Sequence, residues 1–428
     1  MRDPRTHERA LLPWQRGVHV YDVPFFSIPF LVFLVLTIIG LGLSVLRAFG
    51  GLGFTGMSDA YAWGIWKTFN VMTLTALGSG GFAIGLAAWV FKWERLHLVM
   101  RTALLTSFVF YLAGLLALTV DVGRPWNMWH LLFPSHWNPE SSLLEVAVCM
   151  PLYALIFLAF ENLPPLWERL YVHASDGIRQ WMKRAFPALK VIYPFVVAGA
   201  YVLPAMHQSS LGALLLLSGE KLHPLWQSQL LPLLYVIQAG VAGTACVMVT
   251  LMAGCLVWRR RLDLTTLGDL GRLMGYISLG FLALRWGDVI LRGQLGAAFA
   301  FDAFSLLFHV ENLMVLVPTL FMLRPAQRRR PRVLFLSAVT AMLGAMAYRF
   351  VPTTIAFVPG ELKMYFPSAL EVLMSAGYVS LTIVLYTAAV KLFAIVPASL
   401  EEWYEAVAWA RQNFRTIRVD SHGKATRH

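Results

Sequence analysis

Residues 26–47 read FSIPFLVFLVLTIIGLGLSVLR, twenty-one positions without a charge before Arg47 closes the run. About 20 apolar residues in a helix cross a hydrocarbon core of about 30 Å. The run is too long for the apolar region of a cleavable leader, and more such runs follow, so it is expected to stay as an anchor. Nine further runs of comparable length occupy 63–91, 102–120, 141–162, 191–218, 229–257, 273–291, 302–323, 333–350 and 368–396. The expected fold class is therefore an all-α integral membrane protein, about ten transmembrane helices in one polytopic bundle. A 1–23 arm, a 24–396 membrane domain and a 397–428 basic tail complete the expected organisation.

Composition agrees. The 428 residues are 58% hydrophobic and only 14% charged, where a soluble domain carries about a quarter charged residues. Mean hydropathy is +0.63. A formal charge of +12 fits basic cytoplasmic loops better than nucleic-acid binding, because cytoplasmic loops collect Lys and Arg. Of the 35 such residues, 27 fall in the N-terminal arm, the loops after even-numbered spans and the tail. Seven (Arg47, Lys67, Arg124, Lys221, Arg292, Arg349 and Lys363) fall on the other side, and Arg285 sits alone in mid-span. That bias puts both termini in the cytoplasm. Residues 400–419 alternate Trp403, Val407, Trp409 and Phe414 with Arg411, Arg415 and Arg418, a helix lying on the inner membrane surface or a solvated one.

Cys149, Cys246 and Cys255 all lie inside apolar runs, with no C-x-x-C and no Cys/His cluster. An iron–sulfur cluster needs about four thiolates and a structural zinc four ligands, so no metal site is expected here. The glycines of LGSGGFAIG (77–85) read as helix packing or as the wall of a pocket for a flat ligand.

A polar residue in lipid is costly, so its position carries the signal. The first concentration is DVGRPWNMWHLLFPSHWNPESSLLE at 121–145. Asp121 and Arg124 are spaced to pair on one turn, and Trp126, Trp129 and Trp137 suit the interface belt. Glu145 lies about 6 Å inside span 4 at a 1.5 Å rise, and it must be paired, protonated or functional. The second concentration is LPAMHQSSLG at 203–212, where His207, Gln208, Ser209 and Ser210 follow Pro204 and its expected bend. Ser209 and Ser210 satisfy themselves on their own backbone, which leaves His207 and Gln208. Span 7 carries Arg285, Asp288 and Arg292 on one face, and self-neutralisation of Arg285 by Asp288 is the plain reading. Glu161, His309 and Glu311 are candidate proton relays, although their helix angles do not line up. A two-electron, two-proton lipid-soluble carrier suits such a set of acid and base groups, and so does ion transport.

Further strings carry a resemblance: D-V-G-R-x-W-N at 121–127, N-P-x-S-S-L-x-E-x-A-V-C-M at 138–150, P-A-M-H-Q-S-S-L-G at 204–212, H-P-L-W-Q-S at 223–228 and A-W-G-I-W at 62–66. Together they resemble the polysulfide-reductase/NrfD-like membrane subunits, and within them the HybB-type, quinone-reactive branch that serves periplasm-facing nickel–iron hydrogenases. The resemblance implies a haem-free anchor in the bacterial inner membrane, with menaquinone or ubiquinone as substrate and no iron–sulfur cluster in this chain. It also implies partners: a periplasmic ferredoxin-like iron–sulfur subunit and the hydrogenase large and small subunits. By position in the matching strings it carries over Asp121, Arg124, Asn127, Glu145 and His207. The chain departs from the family pattern in A-W-G-I-W, where P-W-G-x-W is common, and in its long tail. The expected site is thus Glu145 and His207 for catalysis, with Asp121, Arg124, Trp126, Asn127, Gln208, Arg285 and Asp288 around the quinone. Glu161, His309 and Glu311 would make the proton path. A haem b anchor, with His207 and His309 as its mid-span axial candidates, and a stand-alone transporter are the competing classes.

Orientation is directly testable. In cells, Ser135→Cys in the 121–140 segment should react with an impermeant thiol reagent added from the periplasmic side once any docked partner is stripped away. Labelling from the cytoplasmic side alone would invert the topology.

Overall fold

The computed structural model describes residues 24–58, 60–61, 63–122, 124–138, 141–258, 263–360, 365–393 and 395–396, with the backbone of 418–419 and 425–426. The side chains of residues 142, 143, 145, 172 and 190 fall outside that description. Among the described residues, ten helices are long and apolar enough to cross a membrane. They are α1 (Ile28–Phe54), α2 (Trp66–Val90), α3 (Glu94–Asp121), α4 (Val146–Tyr171), α5 (Val191–Leu216), α6 (Leu231–Val257), α7 (Leu264–Leu291), α8 (Ala303–Leu323), α9 (Pro331–Ile355) and α10 (Ala369–Leu392). The chain is an all-helical, multi-pass membrane protein. The 1–23 arm and the expected surface helix over 400–417 lie outside the described residues.

Three boundaries differ from the sequence reading. α7 begins nine residues before 273, because the Asp263 side chain accepts from the backbone N–H groups of Thr265 and Thr266 and caps an earlier start. α5 is the last part of one 41-residue helix, Asp176–Leu216, so half of the basic 163–190 connection is helical continuation. A second helix, Leu163–His173, fills most of the rest. At the far end, Arg418 and Val419 are extended and pair with Thr426 and Ala425, not helical.

α2–α5 pack as one four-helix bundle and α6–α9 as a second, with α6 against both α2 and α5, and α10 against α1 and α3. α2 and α6 are largely enclosed, while α1 turns Ile28, Val32, Val35, Ile38 and Phe49 outward. A helix exposing only apolar side chains on its outer face is the solution that hydrocarbon permits, since its backbone groups are satisfied internally. The connections after α1, α3, α5, α7 and α9 share one end of the bundles, here called the odd-loop face. The other end is the even-loop face.

Close helix approach depends on missing side chains. At the α2–α6 crossing, a Cβ on Gly243 would lie 2.1 Å from the Gly80 backbone nitrogen. At the α1–α10 crossing, a Cβ on Gly377 would lie 2.5 Å from the Gly40 Cα. Small residues that let backbones touch are the common adhesive of membrane helices, where the solvent supplies no hydrophobic drive. The glycine run of α2 is thus packing surface, and Gly81 and Gly85 also reach a cavity wall.

Several stretches wind with π-type hydrogen bonds: Trp66–Thr73 and Leu86–Val90 in α2, Leu152–Leu158 in α4, and Val351–Ile355 in α9. Pro151 stands immediately before the α4 stretch and Pro352 within the α9 stretch, where a missing N–H and the ring's bulk disturb the i→i−4 ladder. In α2 the Thr73 hydroxyl donates to the Thr68 carbonyl, five residues back, at 2.7 Å. Such bulges gather at functional sites.

The crossing generates a stability prediction. Gly243→Ala places a methyl group against backbone that cannot yield, and overpacking of this kind costs about 1–3 kcal/mol. Gly240→Ala, whose nearest neighbour would be an Ile277 carbon at 3.4 Å, should be close to neutral. Thermal unfolding of both variants in detergent checks the pair; equal midpoints would refute the crossing.

Candidate functional site

The first bundle has a polar layer at mid-depth. His207 and Gln208 on α5 are buried, and both reach α2. His207 Nε2 is 3.2 Å from Thr75 Oγ1, and Gln208 Nε2 donates to the same oxygen at 3.1 Å. Thr75 spends its one hydroxyl proton on the Val71 carbonyl, 2.6 Å away. Its oxygen can therefore only accept from the histidine, so the network assigns the proton of a neutral His207 to Nε2. Nδ1 is left as a buried acceptor with no hydrogen-bond partner. From α3, Tyr111 OH lies 3.5 Å from Gln208 Nε2 and 3.4 Å from Ser79 Oγ, and its ring meets Tyr153 of α4 edge-on at 4.7 Å. The Tyr153 hydroxyl and Gln208 Oε1 are buried without partners.

A cavity of about 340 Å³ opens on the odd-loop side of this layer, lined by Trp63, Val71, Met72, Leu118, Val146 and Leu211 among others. Helix spacing shows how the two relate. Leu211 is one turn beyond His207, Val71 one turn before Thr75, and Leu118 two turns beyond Tyr111. Each lies about 6–11 Å nearer the odd-loop face. The cavity therefore stands above a floor made of the polar layer. Its rim holds Lys67 and Asp121. Asp121 is 3.6 Å from Lys67 Nζ and 3.8 Å from Arg47 Nη2, and not paired with Arg124. The helix ends at Asp121, and Arg124 has left helical geometry (φ −128°, ψ 72°), so the i+3 spacing no longer brings the two side chains together. Arg124, Trp126 and Asn127 are exposed in the odd-loop segment, Trp126 by 62%, and none lines the cavity. Glu145 lies on the helix Ser142–Pro151, one residue before the cavity-lining Val146; its side chain lies outside the described residues.

On the even-loop side of the floor, the same four helices enclose a second cavity of about 220 Å³, lined by Glu161, Tyr193, Tyr201, His97 and Arg101 among others. Glu161 is about 12 Å along α4 from Tyr153.

The other expected residues belong to the second bundle. Arg285 pairs with Glu311 of α8 at 2.6 Å, both fully enclosed, and not with Asp288. Trp226 Nε1, from the H-P-L-W-Q-S string, donates to the same carboxylate oxygen at 3.1 Å. Asp288 binds Arg292 at 2.7 Å, and Arg292 also donates to the Pro224 carbonyl at 2.7 Å, tying α7 to the 223–228 segment. His309 Nε2 lies 2.9 Å from the Ala298 carbonyl. Neither Glu311 nor His309 lines either cavity, so the structure does not bring them together with Glu161. Nearby on the odd-loop face, His223 stacks on Phe304. Partial burial pushes its pKa below the ordinary imidazole value, while Asp302 acts the other way.

Sequence reasoning missed Thr75, Tyr111, Tyr153, Lys67 and Arg349. The first three look like routine helix residues. Arg349, counted with the outer loops, is instead buried in α9, as Arg47 is in α1.

A b-type haem would need two axial imidazoles facing one slot. His207 Nε2 is engaged by Thr75, His309 Nε2 faces a backbone carbonyl, and they sit in different bundles. His207 and His309 therefore do not fit as the axial pair of a b-type haem, and among the described residues no group of three or more His, Cys, Asp or Glu could hold a metal ion.

Residues 53–359 match the family described as polysulphide reductase, NrfD. The chain is 36% identical over 376 residues, 87% of its length and 93% of the relative's, to the "Probable Ni/Fe-hydrogenase 2 b-type cytochrome subunit" of Escherichia coli (strain K12). It is 24% identical over 323 residues, 71% of its length and 74% of the relative's, to the "Menaquinone reductase, integral membrane subunit" of Nitratidesulfovibrio vulgaris. The chain belongs to the NrfD family of polysulphide-reductase-type membrane subunits, and its relatives are membrane subunits of oxidoreductase complexes.

The Arg285–Glu311 pair yields a test of its own. Glu311→Gln leaves a guanidinium buried without its carboxylate, and breaking a buried pair from one side costs about 3–5 kcal/mol. The double variant Arg285→Met, Glu311→Leu removes both charges and should recover most of that loss. Melting curves of the purified subunit decide it; a harmless single variant would mean the pair is not desolvated.

Proposed function

We propose that the chain is the quinone-reactive membrane subunit of a respiratory hydrogenase-type complex, with its odd-loop face in the periplasm. The observation that supports this most is the stacking inside one bundle: an apolar cavity toward one face, a polar floor, and a carboxylate-lined cavity toward the other. The upper cavity is lined mostly by apolar side chains, Trp63 among them, and its volume of about 340 Å³ suits one ring-sized head group. Electrons would arrive from a periplasmic ferredoxin-like iron–sulfur partner docked over 121–138, whose Trp126, Trp129, Leu132 and Phe133 are exposed. That partner would draw them from the hydrogenase large and small subunits. The relative named as a menaquinone reductase subunit favours quinone over ion transport as the use of the two cavities.

Reduction of a quinone consumes two electrons and two protons, and forms one O–H bond at each carbonyl oxygen. The floor is placed to deliver the protons. Glu145, one residue before the cavity wall, is proposed as the immediate acid, and His207 as the group whose free Nδ1 takes and returns a proton at the cavity floor. Tyr153, Tyr111 and Gln208 extend the line inward toward Tyr201 and Glu161. This inward line replaces the route through His309 and Glu311. Asp121 and Lys67 hold the rim of the cavity in a fixed charge arrangement. Arg124, Trp126 and Asn127 act at the docking surface in this reading, and Arg285 with Asp288 shapes the neighbouring bundle.

The test separates quinone chemistry from hydrogen chemistry. In the assembled complex, His207→Ala should lower hydrogen-to-quinone turnover about a hundredfold or more, the low end of about 10²–10⁴-fold for a lost acid–base group. Hydrogen oxidation with a soluble dye should be unchanged. Leu211→Trp, which fills the upper cavity, should raise the KM for quinone with the dye reaction again intact. Wild-type quinone kinetics in both variants would refute the site.

A further inference from the structure

Arg349 on α9 is fully buried, at 0% exposure, yet it meets no carboxylate. Its Nη2 donates to the Tyr235 carbonyl at 3.2 Å, and the guanidinium lies over the Tyr235 ring at 4.5 Å. Nε and Nη1 have no hydrogen-bond partner. The enclosed carboxylates among the described residues are engaged elsewhere, apart from Glu161, which lines the even-loop cavity. Asp121 faces Arg47 and Lys67, Glu168 binds Arg101, Asp288 binds Arg292, and Glu311 binds Arg285. Glu371 caps α10 and accepts from Gly56 N and Tyr365 OH. An arginine keeps its charge in almost any setting. The centre of the protein therefore holds a positive charge that nothing described cancels.

Its depth is fixed by a neighbour. Thr353, one turn further along α9, accepts from the Thr68 hydroxyl of α2 at 2.9 Å. One turn back from Thr353, about 6 Å, Arg349 is level with Met72, a cavity-lining residue one turn on the odd-loop side of Thr75, at the floor of the upper cavity. Gln238, one turn along α6 from Tyr235, is buried with both amide atoms unpartnered.

We propose that Arg349 is the specificity-determining residue of the line joining the two cavities, a fixed positive charge that turns back alkali cations while net proton movement continues. This rests on the proton route of the preceding subsection. A line of hydroxyl, imidazole and carboxyl groups between cavities facing opposite sides is a hazard in an energised membrane, because a dehydrated Na⁺ or K⁺ finds oxygen ligands along it. A buried guanidinium opposes any cation at its depth, and the low dielectric strengthens the repulsion. Protons escape the block because they need not travel as cations. When a floor group gives its proton to a quinone oxygen, an N–H or O–H bond breaks there and an O–H bond forms on the quinone. The floor group then takes a proton from its inner neighbour, and so on to Glu161, which refills from the even-loop side. What passes Arg349 is a proton deficit, a negative charge moving inward, and that is the sign of charge a guanidinium stabilises. An alkali ion has no such deficit to send.

The experiment uses the complete complex in sealed liposomes, without hydrogen or quinone, with a potassium–valinomycin potential, inside negative, and Na⁺ uptake read by tracer. Arg349→Gln should raise Na⁺ uptake at least tenfold while trapped calcein is retained, which excludes a general lesion. Arg349→Lys, keeping the charge, should restore tightness. A second variant leaves the arginine in place: Gln238→Glu supplies a carboxylate on the adjoining turn and should open the same leak. Gln and Glu variants as tight to Na⁺ as wild type would overturn the proposal, whichever of the two assembles. Because no quinone is present, a leak would stand even if the quinone reading failed, and lost quinone turnover without a leak would sink the barrier alone.

Discussion

Hydrocarbon offers no hydrogen-bond partner, so every polar group that leaves water must find one inside the protein. That constraint accounts for the ten helices, whose backbones satisfy themselves. It also accounts for where the polar side chains went. Outward positions of α1 are apolar without exception over its middle turns, while His207, Gln208, Arg285, Glu311 and Arg349 are all turned to the bundle interiors. The two bundles meet the constraint differently. The second closes Arg285 and Glu311 into a direct ion pair and flanks it with rings, with the Arg285 guanidinium 4.6 Å from both Phe308 and Tyr348. The first leaves acceptors and hydroxyls unspent, at His207 Nδ1, Gln208 Oε1 and Tyr153 OH. A closed pair is a structural solution. Unspent groups between two cavities are chemical capacity.

Most of the fold was legible because span length and apolar composition are properties of one segment at a time. The site was legible only where the sequence broke its own pattern. Four polar residues after Pro204 stand out in a span, and they marked His207 and Gln208. Thr75, Tyr111 and Tyr153 do not stand out, because threonine and tyrosine occur in any membrane helix and become a site only when α2, α3 and α4 converge. Pairings within one helix were over-read for the same reason. Arg285 and Asp288 share a face, yet Glu311 from another helix reaches the guanidinium at 2.6 Å and Asp288 turns to Arg292. Spacing along one element fixes direction, and it says nothing of what the facing element brings. Arg47 and Arg349 were assigned to loops because charges at span ends usually reach water; both are enclosed by helices that overlap their ends. Removing them from the outer loops sharpens the charge bias that argues for cytoplasmic termini.

The separation of the two cavities carries an energetic consequence. Glu161 stands fifteen residues along α4 from Val146, which is about 22 Å of a core about 30 Å thick. Suppose electrons meet the quinone at the odd-loop face and protons come from the even-loop side. Each turnover then moves two positive charges across most of the membrane. Moving one charge against the potential costs about 2.3 kcal/mol per 100 mV, so the pair costs about 4.6 kcal/mol. Were protons to enter from the odd-loop face instead, the reaction would move almost no charge, and a carboxylate-lined cavity at the other end of the same four helices would have no part in it. On the first supposition the distance between the cavities sets how much of the membrane potential each turnover works against. On that supposition the upper cavity is where the two kinds of traffic meet, electrons arriving from the odd-loop side and protons through the polar floor.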